Sequence, residues 1–200
     1  ASAAPDSQET PLHPIKDGRY TVSTGYEYFN EKVHNDKTSV NSFTLRGRAD
    51  IPLAQQHAIR AELGYIRHSF DTKANGVTLV DGGKADTIDL YAGYLYSPSG
   101  FKQGGLRVGG GLGYRYTDNN NRAHRTVHSP NEVDANASVL YLKAQAEYEQ
   151  DLGGGWSITP WGEAKVSLRR RIETKWSQVY TVPDETHKGS SYGISLGVDA

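Results

Sequence analysis

The feature that most constrains the fold is an alternation of apolar and polar residues with a period of two, which recurs eight times from Arg19 onward. Within each segment, residues of one parity are apolar, and those of the other parity are polar or glycine. Successive side chains of a β-strand point to opposite faces of a sheet, so this period predicts strands. The eight segments cover about 19–30, 40–51, 57–69, 86–97, 105–118, 137–150, 155–171 and 189–200.

After a first connection of medium length, short and long connections alternate between these segments. The short ones are Pro52–Gln56, Pro98–Gly104 and Asp151–Gly154, and the long ones are Asp71–Ala85, Asn119–Asn136 and Ile172–Lys188. Because consecutive antiparallel strands reverse direction, all the long connections emerge at one end. Outer-membrane barrels have this layout, with short periplasmic turns and long extracellular loops. We therefore predict an all-β protein, with an eight-stranded antiparallel up-and-down transmembrane barrel over residues 19–200 and a flexible N-terminal segment over residues 1–18.

The alternation alone leaves open which face is buried. A soluble lipocalin-like barrel, which would bind a small apolar ligand inside, is an alternative with the apolar row inward. The aromatic residues favour the membrane interpretation, because they collect near both ends of the segments with aliphatic residues between them, and amphipathic rings prefer the two interfaces of a bilayer. The turn end holds Tyr20, Tyr94, Tyr96, Tyr148 and Trp156, and the loop end holds Tyr26, Tyr28, Phe43, Tyr65, Tyr114, Tyr116 and Tyr192.

The polar row carries charges of both signs, with glycines between them. The interior of an eight-stranded barrel is narrow, so long charged side chains fit beside glycines and have to pair with one another. We predict a network of ion pairs that fills the lumen and leaves little or no conduction. Its members are Arg46, Arg48, Arg60, Glu62, Arg107, Lys143, Glu147, Glu163 and Lys165.

The composition excludes several classes of function. Because 22 Lys and Arg stand against 23 Asp and Glu, the chain lacks the basic excess of a general nucleic-acid binder. Cysteine is absent, which removes disulfides, thiolate nucleophiles and Cys-based zinc sites. His124 and His128 lie in a predicted loop with no carboxylate at a matching spacing, so we expect neither a metal site nor a cofactor.

Three residues near the loop end are candidates for catalysis. His68 lies on the polar row, Asp71 follows it, and Asp86 begins the next strand, where we expect it opposite His68. An acid and a histidine grouped on the rim form the alternative of a hydrolase that acts on lipid A or peptide. The interpretation that we prefer is a histidine hydrogen-bonded to its neighbours, without enzymatic activity.

The seventh segment contains two further features. Arg169, Arg170 and Arg171 mark its outer end, where guanidinium groups match the phosphate oxygens of lipopolysaccharide. Pro160 lies inside the segment and cannot donate a backbone hydrogen bond, so we expect a β-bulge at this position.

The strand pattern, the aromatic girdles and the alternating loop lengths resemble the small eight-stranded outer-membrane barrels of Gram-negative bacteria, the OmpA/OmpX/Ail/Opa-like group. The resemblance is architectural and covers residues 19–200, although members typically end in an aromatic residue and this chain ends in Val198-Asp199-Ala200. It implies a monomer in the bacterial outer membrane, in contact with the bilayer and lipopolysaccharide. The loops would bind host or environmental molecules, or the barrel would support the membrane.

Overall fold

The computed structural model describes residues 13, 15–33, 36–102, 104–120, 134–175, 183 and 185–199. These residues form one antiparallel sheet, in which each strand from β1 to β8 pairs with the next and β9 pairs with β7. The strands are β1 (Arg19–Val33), β2 (Asp36–Ala54), β3 (His57–Ala74), β4 (Val77–Tyr96), β5 (Gly105–Asn120), β6 (Ala135–Gly153), β7 (Trp156–Thr174), β8 (Glu185–Gly189) and β9 (Tyr192–Asp199). No helix in this part of the chain is long and apolar enough to cross a bilayer.

The eighth predicted segment is formed by two strands in line. β8 pairs with the loop-end part of β7, and β9 pairs with its turn-end part. The interruption falls at Ser190 and Ser191, where the backbone of Ser191 still exchanges hydrogen bonds with Ser167. The up-and-down order of the strands agrees with the prediction, whereas the last strand begins earlier and is broken.

The sheet curls so strongly that strands far apart in it touch on one face. Arg60 of β3 donates hydrogen bonds of 2.8 and 2.9 Å to Glu147 of β6, although β4 and β5 lie between these strands. In a flat sheet, three steps would separate the two strands by roughly 14 Å. This face is therefore concave. Among the described residues, no backbone pairing joins the two edge strands, β1 and β9.

The apolar row covers the convex face, and the polar row lines the concave face. Leu63, Leu90 and Leu112 are 57%, 47% and 50% exposed, whereas Arg60 and Lys143 are 1% and 3% exposed. A soluble barrel has the opposite arrangement, with its apolar side chains inside. The alternative of a soluble lipocalin-like barrel is therefore wrong, and the convex face is built to lie against an apolar medium.

Glycines of the concave face leave room for large aromatic rings. The ring of Tyr141 lies over Gly113, its cross-strand partner, and Trp161 lies over Gly197 in the same way. A Cβ atom at Gly113 would come within 2.1 Å of the Tyr141 ring. Close packing inside the curved sheet therefore requires a glycine at these two positions.

The third connection is an extended hairpin, which corrects the expected long loop over Asp71–Ala85. β3 and β4 continue to a two-residue turn at Asn75 and Gly76, whose φ angles are 50° and 81°. Asn-Gly is the sequence that a type I′ hairpin turn prefers, because both residues adopt a positive φ. The signal for this hairpin was present in the sequence.

The expected bulge at Pro160 is absent. The pairing of β7 with β9 runs through Pro160 without a shift, and the register with β6 is the same on both sides of it. In an antiparallel pair, only every second residue of a strand donates its N–H group to a given neighbour. The absence of one donor therefore does not by itself shift the register.

The bulge of β7 lies at Leu168 instead. Leu168 is the extra residue between two cross-strand pairs, which are Leu140 with Arg169 and Tyr141 with Ser167. One extra residue reverses the parity of everything that follows it. Arg169 and Arg171 therefore face the convex side and Arg170 faces the concave side, whereas an uninterrupted alternation would place Arg169 inside.

The predicted flexible segment lies mostly outside the described residues, but its end contacts the turn end of the sheet. Asp17 accepts a hydrogen bond of 2.8 Å from the backbone N–H of His13, and this bond holds the pKa of its carboxyl below the ordinary value. The same carboxyl pairs with Lys102 at 3.6 Å, between β4 and β5.

A charge placed on the convex face should destabilise the protein in a bilayer. Leu112 lies near the middle of β5 and points outward, so Leu112→Arg should lower the free energy of unfolding by about 2–4 kcal/mol. Urea titration in phospholipid vesicles measures this change. The matched control is Leu53→Arg, which is also exposed but lies beside the β2–β3 turn, where the cost is roughly 0–1 kcal/mol. Equal effects at the two positions would contradict the assignment of the convex face to lipid.

Candidate functional site

The centre of the concave face is a buried ion-pair cluster around Arg60. Its guanidinium donates two bonds of 2.7 Å to Asp50 on β2 and two bonds of 2.8 and 2.9 Å to Glu147 on β6. Arg107 of β5 donates to the same carboxylate of Glu147 at 3.3 Å, and Arg48 of β2 approaches it to 3.8 Å. Glu147 therefore holds three arginines from three strands together.

A second layer of charge lies toward the loop end. The ammonium of Lys143 is 2.8 Å from Glu62 and 3.6 Å from Glu163, and Lys165 lies 2.7 Å from the other oxygen of Glu163. The same ammonium lies 3.7 Å from the centre of the Tyr91 ring, at the distance of a cation–π contact. This layer joins β3, β4, β6 and β7.

The next two layers become progressively less charged. Asp89 accepts hydrogen bonds from Arg115 and, at 2.7 Å, from the hydroxyl of Tyr141. Beyond it, a row of hydroxyl groups and one imidazole crosses four strands. Its contacts are Ser42 to His68 at 2.8 Å, His68 to Thr87 at 3.3 Å and Thr87 to Thr117 at 2.8 Å.

The turn end of the interior contains open space. Glu149 pairs with Arg107 and, at 2.7 Å, with Arg19 at the start of β1. Two cavities of about 350 and 390 Å³ lie here, and both are lined by Arg19 and Trp156. The first of them ends at Arg60 and Glu147, so the buried cluster is the floor of this opening.

This arrangement can close the interior to solutes. The layers follow one another along the strands, and the two charged layers around Arg60 and Lys143 connect β2 and β3 with β6 across the interior. In the low dielectric of the interior, paired charges attract each other strongly and an unpaired charge is costly. Breaking the contacts of any single layer is therefore unfavourable.

All nine residues of the predicted lumen network lie on the concave face. Eight of them take part in the ion pairs described above, and Arg46 is half-buried and interacts electrostatically with Glu163. Sequence reasoning left Asp50 and Glu149 out of this set. Each follows a predicted member by two residues, Arg48 and Glu147, so the same parity argument would have found them.

The catalytic candidates are not brought together. His68 faces the interior and contacts Ser42 and Thr87, whereas Asp86 pairs with Arg67 in the register and accepts a hydrogen bond of 2.5 Å from Tyr65 on the convex face. Asp71 accepts the backbone N–H of Gly82 at 2.7 Å. The expected position of Asp86 opposite His68 is therefore corrected, because the two lie on opposite faces of the sheet. His124 and His128 lie outside the described residues.

Removing the central arginine should be far more costly than removing an exposed one. Arg60→Ala leaves Asp50 and Glu147 buried without their main partner, and we expect a loss of about 3–5 kcal/mol in the free energy of unfolding. Arg19→Ala breaks an ion pair whose arginine side chain is 45% exposed, and should cost less than about 1 kcal/mol. Urea titration in vesicles compares the two variants. A small effect at Arg60 would mean that the cluster is solvated.

Comparisons with known proteins place the chain in a family. It matches the family model described as outer membrane protein OpcA over residues 42–200. No curated protein sequence matches it. Among solved structures, it is similar to the crystal structure of the outer membrane protein OprG from Pseudomonas aeruginosa, at 14% identity and a TM-score of 0.46, covering 90% of this chain and 88% of that one. Since the family model covers well over half of the chain, the protein belongs to the OpcA outer membrane protein family and is a β-barrel of the bacterial outer membrane.

Proposed function

We propose that this protein is a closed, non-conducting barrel that acts at the cell surface through its loop end, by binding host or environmental molecules. In this proposal the sheet closes into a cylinder of eight strands, in which β8 and β9 together count as the eighth. The turn end lies in the periplasm and the loop end lies outside. The protein has no enzymatic activity and works as a monomer. The observation that carries the proposal is the layered interior, which leaves the exposed ends of the strands as the surface available for function.

Closure of the barrel is supported by the requirement that backbone polar groups inside a bilayer be hydrogen-bonded within the protein. An open edge exposes unpaired N–H and C=O groups, which are costly in a bilayer and are avoided by closed barrels. Side chains already approach one another across the gap between the edges, since Arg48 of β2 lies 3.9 Å from Asp199 of β9. Pairing of β1 with β9 would therefore complete the same wall.

The β3–β4 hairpin supports a surface-binding role. From Tyr65 in the aromatic girdle to Ala74, β3 continues for nine residues, or roughly 30 Å of strand. Phe70 and Val80 pack against Gly83 at the base of this hairpin, and Val80 is only 4% exposed. A projecting element with a fixed base binds with a smaller loss of conformational entropy than a mobile loop does.

The closed interior can be tested by electrical recording. Wild-type protein reconstituted in a planar bilayer in potassium chloride should give no stable conductance steps, because the charged layers join opposite walls of the lumen. A general porin, recorded under the same conditions, is the positive control for insertion. Stable, regular steps from the folded protein would refute a non-conducting interior.

The surface role can be tested on intact bacteria. An epitope inserted between Asn75 and Gly76 should be labelled by antibody equally well before and after permeabilisation. Replacing residues 72–81 with a short Asn-Gly turn should reduce the adhesion of expressing bacteria to cultured epithelial cells severalfold, while the heat-modifiable gel band of the folded barrel remains.

The matched control is the same epitope placed in the β6–β7 turn at Gly154, which should be labelled only after permeabilisation. Labelling of this control on intact cells would reverse the proposed orientation. Unchanged adhesion after removal of the hairpin would exclude it as the binding element.

A further inference from the structure

A cluster of three cations lies on the convex face at the loop end. Arg169 and Arg171 of β7 face outward because of the bulge at Leu168, and Lys188 of β8 is the direct cross-strand partner of Arg171. Direct partners in an antiparallel pair share a face and lie about 5 Å apart at their Cβ atoms. All three side chains therefore belong to one exposed patch, which we call the rim cluster.

The rim cluster has an excess of positive charge. Like charges directly opposite one another destabilise a sheet, so the pair of Arg171 and Lys188 is unfavourable without a counter-charge. Among the described residues, Arg171 has one acidic partner, Glu173, which lies two residues further along its own strand. One carboxylate does not balance three cations, and this excess makes the patch suited to an anion.

The height of the rim cluster on the wall is that of the membrane interface. One cross-strand row runs from Tyr116 through Ser138 and Arg171 to Lys188, so the cations share a level with an aromatic girdle. Tyrosines of this kind lie at the level of the lipid head groups. On the membrane side of the cluster the same wall becomes apolar, since Leu168 is 52% and Val166 is 50% exposed.

We propose that the rim cluster binds the phosphate groups of lipid A, the phosphorylated glycolipid anchor of lipopolysaccharide, with the acyl chains lying along Leu168 and Val166. This inference rests on the outward orientation of the loop end proposed above. The planar forks of Arg169 and Arg171 can each donate two hydrogen bonds to one phosphate, and Lys188 adds a third charge. The outer leaflet presents this charge at the interface, directly above its acyl chains.

Titration with lipid A tests the proposal. Bisphosphorylated lipid A is added to the refolded protein in neutral detergent micelles, and binding is followed by native mass spectrometry. The variant Arg169→Gln/Arg171→Gln/Lys188→Gln should bind roughly a hundredfold more weakly than wild type, because each interfacial cation contributes about fivefold. Enzymatically dephosphorylated lipid A should bind wild type as weakly as intact lipid A binds this variant.

The matched control is Arg67→Gln, which removes another outward arginine near the same level, on β3. It should leave the affinity for lipid A unchanged, and heat-modifiability on gels establishes that every variant is folded. The proposal is overturned if the triple variant binds like wild type, if Arg67→Gln loses as much, or if the dephosphorylated lipid binds equally well. Binding in micelles does not depend on orientation in the cell, so a failure here is distinct from a failure of the surface-labelling experiment.

Discussion

The buried contact of Arg60 with Asp50 and Glu147 is the interaction on which the rest of the structure depends. Charges removed from water have to be paired, and here the partner of a β3 residue is on β6. The pair can form only if the sheet curls, and it can curl this tightly only if the concave face has glycines under its large side chains. The apolar convex face follows, because between the two aromatic girdles the charged side chains lie on the other parity.

The period of the sequence was sufficient to predict the strands and the side on which most residues lie. Parity alone places Lys143 and Glu147 inside and Leu112 and Leu142 outside, as the structure has them. Periodicity does not carry information about partners across the interior. The contact of Glu147 with three arginines depends on the curvature of the sheet and on the register of its strands, which are properties of the whole sheet.

The errors of the sequence reasoning arose where a local signal was overlooked, was misleading or was absent. Asn75-Gly76 is a strong local signal for a hairpin, but the polar residues around it gave the segment the composition of a loop. Pro160 is a strong local signal for a bulge, but the register of β7 with β9 runs through it without a shift. The bulge at Leu168 has no comparable signal, because a leucine fits either face of a strand, and the extra residue is visible only when both neighbouring strands are aligned with β7.

That bulge also separates two electrostatic environments. The concave face carries charges of both signs: Arg46, Arg48, Arg60, Arg107, Arg115, Lys143, Lys165 and Arg170 against Asp50, Glu62, Asp89, Glu147, Glu149 and Glu163. If the alternation continued unbroken, Arg169, Arg171 and Glu173 would lie on this face, and Arg170 would lie on the convex face. One extra residue moves both arginines to the convex face at the membrane interface. The grouping of Arg169 and Arg171 with Lys188 on one face therefore has its structural cause in this extra residue.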